Sequence, residues 1–205
     1  MVTRLDLKKD LKHLYQPSAK AFSIIDVPAM SFLMIDGKGD PNTSQDYKDA
    51  LEALYSAAYT LKFAIKKGEG IDYPVMALEG LWWADDMSTF SMDRRSEWQW
   101  TMMIMQPEVV TRGHADAAIK EAQVKKGFPA LSKIRFDCYA EVTAAQILYF
   151  GAYKDEGPTI ARLHEFITDS GYERAGKHHE IYLGDPRRTA PEKLKTVIRQ
   201  PVRKA

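Results

Sequence analysis

A single cysteine, Cys138, is the whole thiol content of this sequence of 205 residues. An internal disulfide is excluded, and so is a zinc site built on cysteine. The five histidines do not compensate. No His-Glu-x-x-His occurs, and His178 and His179, adjacent on an expected strand, point to opposite faces and cannot serve one ion. Glycine is present without cofactor spacing: there is no Gly-x-Gly-x-x-Gly, no phosphate-binding loop and no Gly-x-Ser-x-Gly elbow. An excess of one charge is also missing. Lys and Arg number 29 against 28 Asp and Glu, a formal charge of +1, which argues against a dedicated nucleic-acid binder. The longest uncharged run, residues 142–153, is far shorter than the ~20 apolar residues a spanning helix needs. The N-terminus is charged where a signal peptide would be apolar. The expectation is a cytoplasmic chain with no metal or cofactor, no direct nucleic-acid binding and no membrane contact.

What the chain has is aromatic side chains, including four Trp and ten Tyr, within a 45% hydrophobic composition that can build a core. Residues 1–20 are polar and basic and read as an arm or a short surface helix. Residues 22–35 read as a strand pair or bent strand interrupted at Pro28. Thr43 or Ser44 is a suitable N-cap for a helix in which Tyr47, Leu51, Leu54, Ala58, Leu61 and Ile65 form one apolar face, closed by Lys66-Lys67-Gly68. Tyr55 and Tyr59 sit on its shoulder, as packing beside the core or as ligand contacts.

Strands follow from Val75 and over 98–106, separated by a polar loop over 85–96, and a helix capped by Thr111 runs to Gly127. Two more strands cover 134–142 and 144–153. Gly157-Pro158 opens a helix that Gly171 ends. A strand over 177–183 and a last short one before Pro201 close the chain. Each half thus carries strand, loop, helix and two strands. This order fits an α+β fold of two β-α-β-β units, with helices on one sheet layer and a ligand groove at the seam. Residues 1–20 form the arm and 21–205 one domain, its repeats falling at about 21–107 and 131–202.

Strand alternation puts His179, Ile181 and Leu183 on one face and His178, Glu180 and Tyr182 on the other. Ile181 and Leu183 face the core, so Glu180 and Tyr182 face the open side. Leu78, Gly80 and Trp82 share one face of the strand in the first half, and Glu79, Leu81 and Trp83 the other, so one of the two Trp lies outside the core. Trp98 and Trp100 share a face with Met102 and Ile104, either as core or as a pocket wall. Tyr149 alternates with Ile147 and Gly151 and fits either role.

The stretch His178-His179-Glu180-Ile181-Tyr182-Leu183-Gly184-Asp185-Pro186, with Lys195-Thr196-Val197-Ile198-Arg199-Gln200-Pro201 after it, resembles the C-terminal signature of the GyrI-like small-molecule-binding family. Leu78-Glu79-Gly80-Leu81-Trp82-Trp83 and Trp98-x-Trp100 with Gln106-Pro107 resemble its stand-alone, hydrolase-like branch. The resemblance spans residues 20–202. It implies two β-α-β-β units related by a pseudo-two-fold, and a central glutamate, here Glu180, in an aromatic-walled cleft. Stand-alone members include hydrolases that open the strained cyclopropane of DNA-alkylating natural products. Other members are effector sensors fused to a DNA-binding helix-turn-helix, and about 20 residues before the first strand are too few for one.

Three functions compete. The first is a hydrolase that needs no metal, with Glu180 as base, Tyr182 and Tyr149 as proton donors, and Trp82, Trp83, Trp98, Trp100 and Tyr55 holding a planar hydrophobic xenobiotic. The second is a passive multidrug binder or sensor, with Glu180 as counter-charge to cationic aromatics. The third is a protein-interaction module for a target such as gyrase. Desolvation in an aromatic cleft is expected to raise the pKa of Glu180. A homodimer is left open.

Overall fold

The computed structural model describes residues 2–87 and 92–205. Part of the polar loop expected over 85–96 therefore lies outside the described residues. The first elements are β1 (Thr3–Arg4), the one-turn helices α1 (Leu7–Asp10) and α2 (Lys12–Tyr15), then β2 (Ser23–Val27) and β3 (Met30–Lys38). The long helix α3 (Gln45–Gly68) leads to β4 (Ile71–Asp72), β5 (Leu78–Trp83), β6 (Gln99–Gln106) and α4 (Arg112–Lys126). After β7 (Arg135–Tyr139) come β8 (Val142–Phe150), α5 (Gly157–Asp169), β9 (Tyr172–Arg174), β10 (His178–Tyr182) and β11 (Lys195–Lys204). The fold is α+β, as expected, with mainly antiparallel strands. Among the described residues no helix is long and apolar enough to cross a membrane.

The chain divides into two compact units. The first holds Met1–Asp10, Met30–Met76 and Trp82–Tyr139. In it β6 and β7 flank β3, both antiparallel. The Ser44 hydroxyl accepts the Tyr47 N–H at 3.2 Å and starts α3, satisfying one of the helix's free first-turn donors. Leu54, Ala58, Leu61 and Ile65 are buried along one face of α3. α4 begins on a capping box between Thr111 and His114 and ends at Gly127 with φ 67°, a left-handed turn that glycine makes without strain. Gly37 lies opposite Trp100 across the β3–β6 ladder. A Cβ there would stand 2.1 Å from the Trp100 ring, so only glycine lets the indole lie on the backbone.

The second unit holds Leu11–Ala29, Ala77–Leu81 and Ala140–Ala205. Its strands run β2, β8, β11, β10, each antiparallel to the next. α5 buries Leu163 and Ile167 against Ile147, Ile198 and Val202 of β8 and β11. One expectation fails here. The last strand does not stop before Pro201 but runs on to Lys204. At Pro201 the ladder changes partner: residues 195–201 pair with β8, while 202–204 pair with β9. The proline lacks an N–H, but its carbonyl accepts the Ala175 N–H at 2.8 Å, so it sits where the lost donor matters least. The N-terminal arm also differs from a surface segment, because Leu14 and Tyr15 of α2 are buried.

Candidate functional site

β10 carries two polar constellations, one on each face, because side chains alternate along a strand. On one face His178 Nε2 lies 3.1 Å from Glu180 Oε1, and the Tyr182 hydroxyl donates to Glu180 Oε2 at 2.8 Å. The parity read from sequence thus places Glu180 and Tyr182 together. The Glu180 side chain keeps 16% exposure, enough to meet a ligand and far from free solvation.

Glu156, immediately before α5, lies against this carboxylate. It is only 2% exposed and interacts with Glu180 and the Thr196 hydroxyl. Burial first, then the charge of Glu180, raises the Glu156 pKa to about 9. Two carboxylates so close cannot both ionise cheaply. Glu156 therefore keeps its proton at neutral pH and Glu180 carries the charge. The expected rise of the Glu180 pKa does not occur. Burial acts upward, but the hydrogen bond and charge of His178, the Tyr182 hydroxyl and the Glu156 carboxyl outweigh it, and the net shift is downward. Glu156 was not picked out by the sequence reading, since a glutamate before Gly-Pro reads as a loop residue. Tyr149 donates to the Ala152 carbonyl at 3.3 Å. Burial, together with the charges of Glu156 and Asp155, raises its pKa.

The other face of β10 opens on a fully buried chain of charges. His179 Nε2 is 3.0 Å from Glu79 Oε2, and its Nδ1 is 3.0 Å from Glu141 Oε1. Arg199 reaches Glu141 Oε2 at 3.1 Å and Gln146 Oε1 at 3.1 and 3.2 Å. It also donates to the Leu14 carbonyl at 2.5 Å. The Tyr15 hydroxyl donates to Glu79 Oε1 at 2.5 Å. Signs alternate along the chain, and two carboxylates balance one imidazolium and one guanidinium. Against the pull of burial, Glu141 and then Glu79 raise the His179 pKa to about 9. His179 and Arg199 likewise overcome burial and hold Glu141 at about 2. Buried ions are tolerated when opposite charges stand beside them. Glu79 and Arg199 fall within the quoted signatures, but nothing in strand parity tells a buried ion from an exposed one.

The expected ligand-binding aromatics lie in the first unit. Tyr47 of α3 stands edge-on to Trp100 at 5.3 Å and 6.0 Å from Trp82, and Trp82 stands 5.7 Å from Trp98. Trp82 and Trp100 are buried, while Trp83 and Trp98 are partly exposed. Tyr47 was read only as part of the α3 stripe. Tyr55 sits on the exposed side of α3. Among the described residues no group of three or more His, Cys, Asp or Glu side chains is placed to hold a metal ion.

The chain belongs to the GyrI-like small molecule binding domain family, which it matches over residues 20–203. It is similar to an uncharacterized conserved protein from Listeria innocua at 36% identity and TM-score 0.90, covering 98% of this chain and 100% of the other. Two crystal structures of hydrolases from Listeria innocua are also similar. One has 34% identity and TM-score 0.84, covering 98% of this chain and all 100% of its own. The other has 35% identity and TM-score 0.87, covering 99% and 100%. No curated protein matches the sequence.

Proposed function

We propose that this chain is a hydrolase of planar, hydrophobic, electrophilic xenobiotics, with a cyclopropane conjugated to a carbonyl as the reacting group. The observation that carries the reading is the Tyr182–Glu180 hydrogen bond of 2.8 Å beside the buried Glu156 carboxyl. The hydrolases of Listeria innocua among its structural relatives support it.

Water attacks a ring carbon. A C–O bond forms, the ring C–C bond breaks, and its electron pair moves to the carbonyl oxygen. Glu180, ionised and partly desolvated, takes the proton from water, and the Tyr182 hydroxyl gives its proton to the oxygen. Glu180 then returns the water proton to Tyr182 across their hydrogen bond, which restores both groups. Glu156 stays neutral, so it donates to Glu180 without adding a second charge. Tyr149, engaged by a backbone carbonyl, is the second-choice donor. The scheme draws on no metal or cofactor.

The test is incubation with a cyclopropane-bearing alkylator and detection of the ring-opened product by mass spectrometry. A product carrying one added water supports the hydrolase. Binding without turnover, with preference for cationic aromatics, favours the second reading, a non-catalytic multidrug binder or sensor. The ionised Glu180 suits that role as well.

A further inference from the structure

α3 buries one side and shows aromatic rings on the other. Tyr55, Tyr59 and Phe63 are 37%, 49% and 58% exposed. They follow one another at i, i+4 and i+8, which on a helix is one face. Leu54, Leu61 and Ile65 are buried on the opposite face. The Tyr59 and Phe63 rings stack at 6.5 Å, and Lys62 Nζ lies 5.7 Å from the Phe63 ring centre. The outward face of a helix is ordinarily polar. Single exposed apolar residues need no explanation, but a continuous row of three rings does.

Exposed charges bracket the row, with Glu52 at one end and Lys66 at the other. Counted from Tyr59, Ser56 and Lys62 stand three residues away, and beyond them the face reads alike in both directions. An aromatic ring stands four residues away on each side and a charge seven residues away, of opposite sign at the two ends. We propose that this face binds the same face of a second copy of the chain, with the two α3 helices antiparallel about a two-fold axis through Tyr59. Tyr59 then meets Tyr59, Tyr55 meets Phe63, and Glu52 meets Lys66 on both sides of the axis.

A two-fold interface must be self-complementary. The arrangement supplies this, with rings opposite rings and a carboxylate opposite an ammonium. At ~1.5 Å rise per residue, Glu52 and Lys66 stand about 10 Å to either side of the axis, still within the contact zone of two crossing helices. Lys66 already bridges Asp72 at 3.0 Å and remains half-exposed, so its remaining donors are open to a second carboxylate. The rim charges set register and orientation, and the rings supply the buried area. One helix face per copy is small for an interface, so the dimer forms in a concentration-dependent way.

Sedimentation velocity of the full chain over rising concentration tests this. The wild type is expected to shift from monomer to dimer. Tyr59→Glu sets two like charges against each other on the axis and should raise the dissociation constant roughly tenfold or more. Glu52→Lys should weaken the dimer, and adding Lys66→Glu should restore it. In a Cys138→Ser background, Tyr59→Cys should form a disulfide-linked dimer on mild oxidation, since only a residue on the axis meets its own copy. Circular dichroism checks that these solvent-facing substitutions leave the fold intact. A chain that stays monomeric throughout, one that occupies this face only with an unrelated protein, or a dimer indifferent to both Tyr59→Glu and the charge swap would overturn the proposal.

Discussion

His179 and Glu180 are consecutive on β10, yet His179 hydrogen-bonds Glu79 and ion-pairs with Glu141 while Glu180 bonds His178 and Tyr182. One strand thus joins a buried, charge-balanced chain to a partly exposed carboxylate. The buried side fixes the strand through contacts to Ala77–Leu81, β8, β11 and the N-terminal segment. The buried contacts thus hold the strand that presents Glu180, as the proposed role of base requires.

The buried chain makes stability depend on pH at both ends. The pKa of His179 is raised from 6.5 to about 9, so its contribution is fully present below the lower value and lost as pH rises through the higher one. The pKa of Glu141 is lowered from 4.5 to about 2, so its contribution is present above the higher value and lost as pH falls toward the lower one. Urea denaturation across pH should show a plateau with declines on both flanks. Glu141→Gln should lower the plateau by roughly 3–5 kcal/mol, because it leaves His179 and Arg199 short of a partner, and should flatten the acid flank. An unchanged pH profile in that variant would contradict the pairing.

Glu156 works in the opposite sense. Its pKa is raised from 4.5 to about 9, so the folded state is favoured while the group stays protonated and is penalised as pH rises through that interval. Glu156→Gln keeps the shape and removes the penalty. Its melting temperature should exceed that of the wild type, and by more in mildly alkaline than in mildly acidic buffer. Catalysis should also lose its alkaline limb near the Glu156 pKa in this variant. Identical profiles for the two proteins would remove Glu156 from the site.

Gly37→Ala should destabilise the first unit. The new methyl would meet the Trp100 ring at 2.1 Å, and overpacking of this kind costs about 1–3 kcal/mol. Denaturant unfolding with tryptophan fluorescence reads both the lost stability and the displaced indole. A silent substitution would mean that Trp100 does not lie on that backbone.

Val142 should respond in the reverse direction. It is exposed and holds φ 67°, a left-handed conformation that a β-branched residue adopts only under strain. It directly follows Glu141 in the chain. Val142→Gly should raise unfolding free energy by about 1 kcal/mol. A loss of that size would mean that the valine side chain contributes more than its strain costs.

The legible part of the fold was local. The Ser44 and Thr111 caps, the Gly-Pro start of α5 and the break at Pro28 all carry chemistry that one or two residues impose on the backbone. Strand alternation likewise put Glu180 and Tyr182 side by side. What stayed hidden depends on residues far apart in sequence. Glu156 reaches Glu180 from another element, and the partners of His179 come from positions 79 and 141. Tyr15 is buried with its hydroxyl donating a hydrogen bond to Glu79. No periodicity encodes such pairs. The direction of the Glu180 shift went astray for the same reason, since desolvation follows from composition but the donors do not. Pro201 misled by a different route, because its cost depends on which strand lies beside it.

The central claim is that Glu180 is the base and Tyr182 the proton donor of a hydrolysis. The direct measurement is the single-turnover rate on a neutral cyclopropane-bearing alkylator, with its dissociation constant, for the wild type, Glu180→Gln and Tyr182→Phe. Glu180→Gln should cut the rate by ~10²–10⁴ and leave affinity nearly unchanged. Tyr182→Phe should lower the rate with similarly intact binding. Turnover of Glu180→Gln at the wild-type rate would contradict the account.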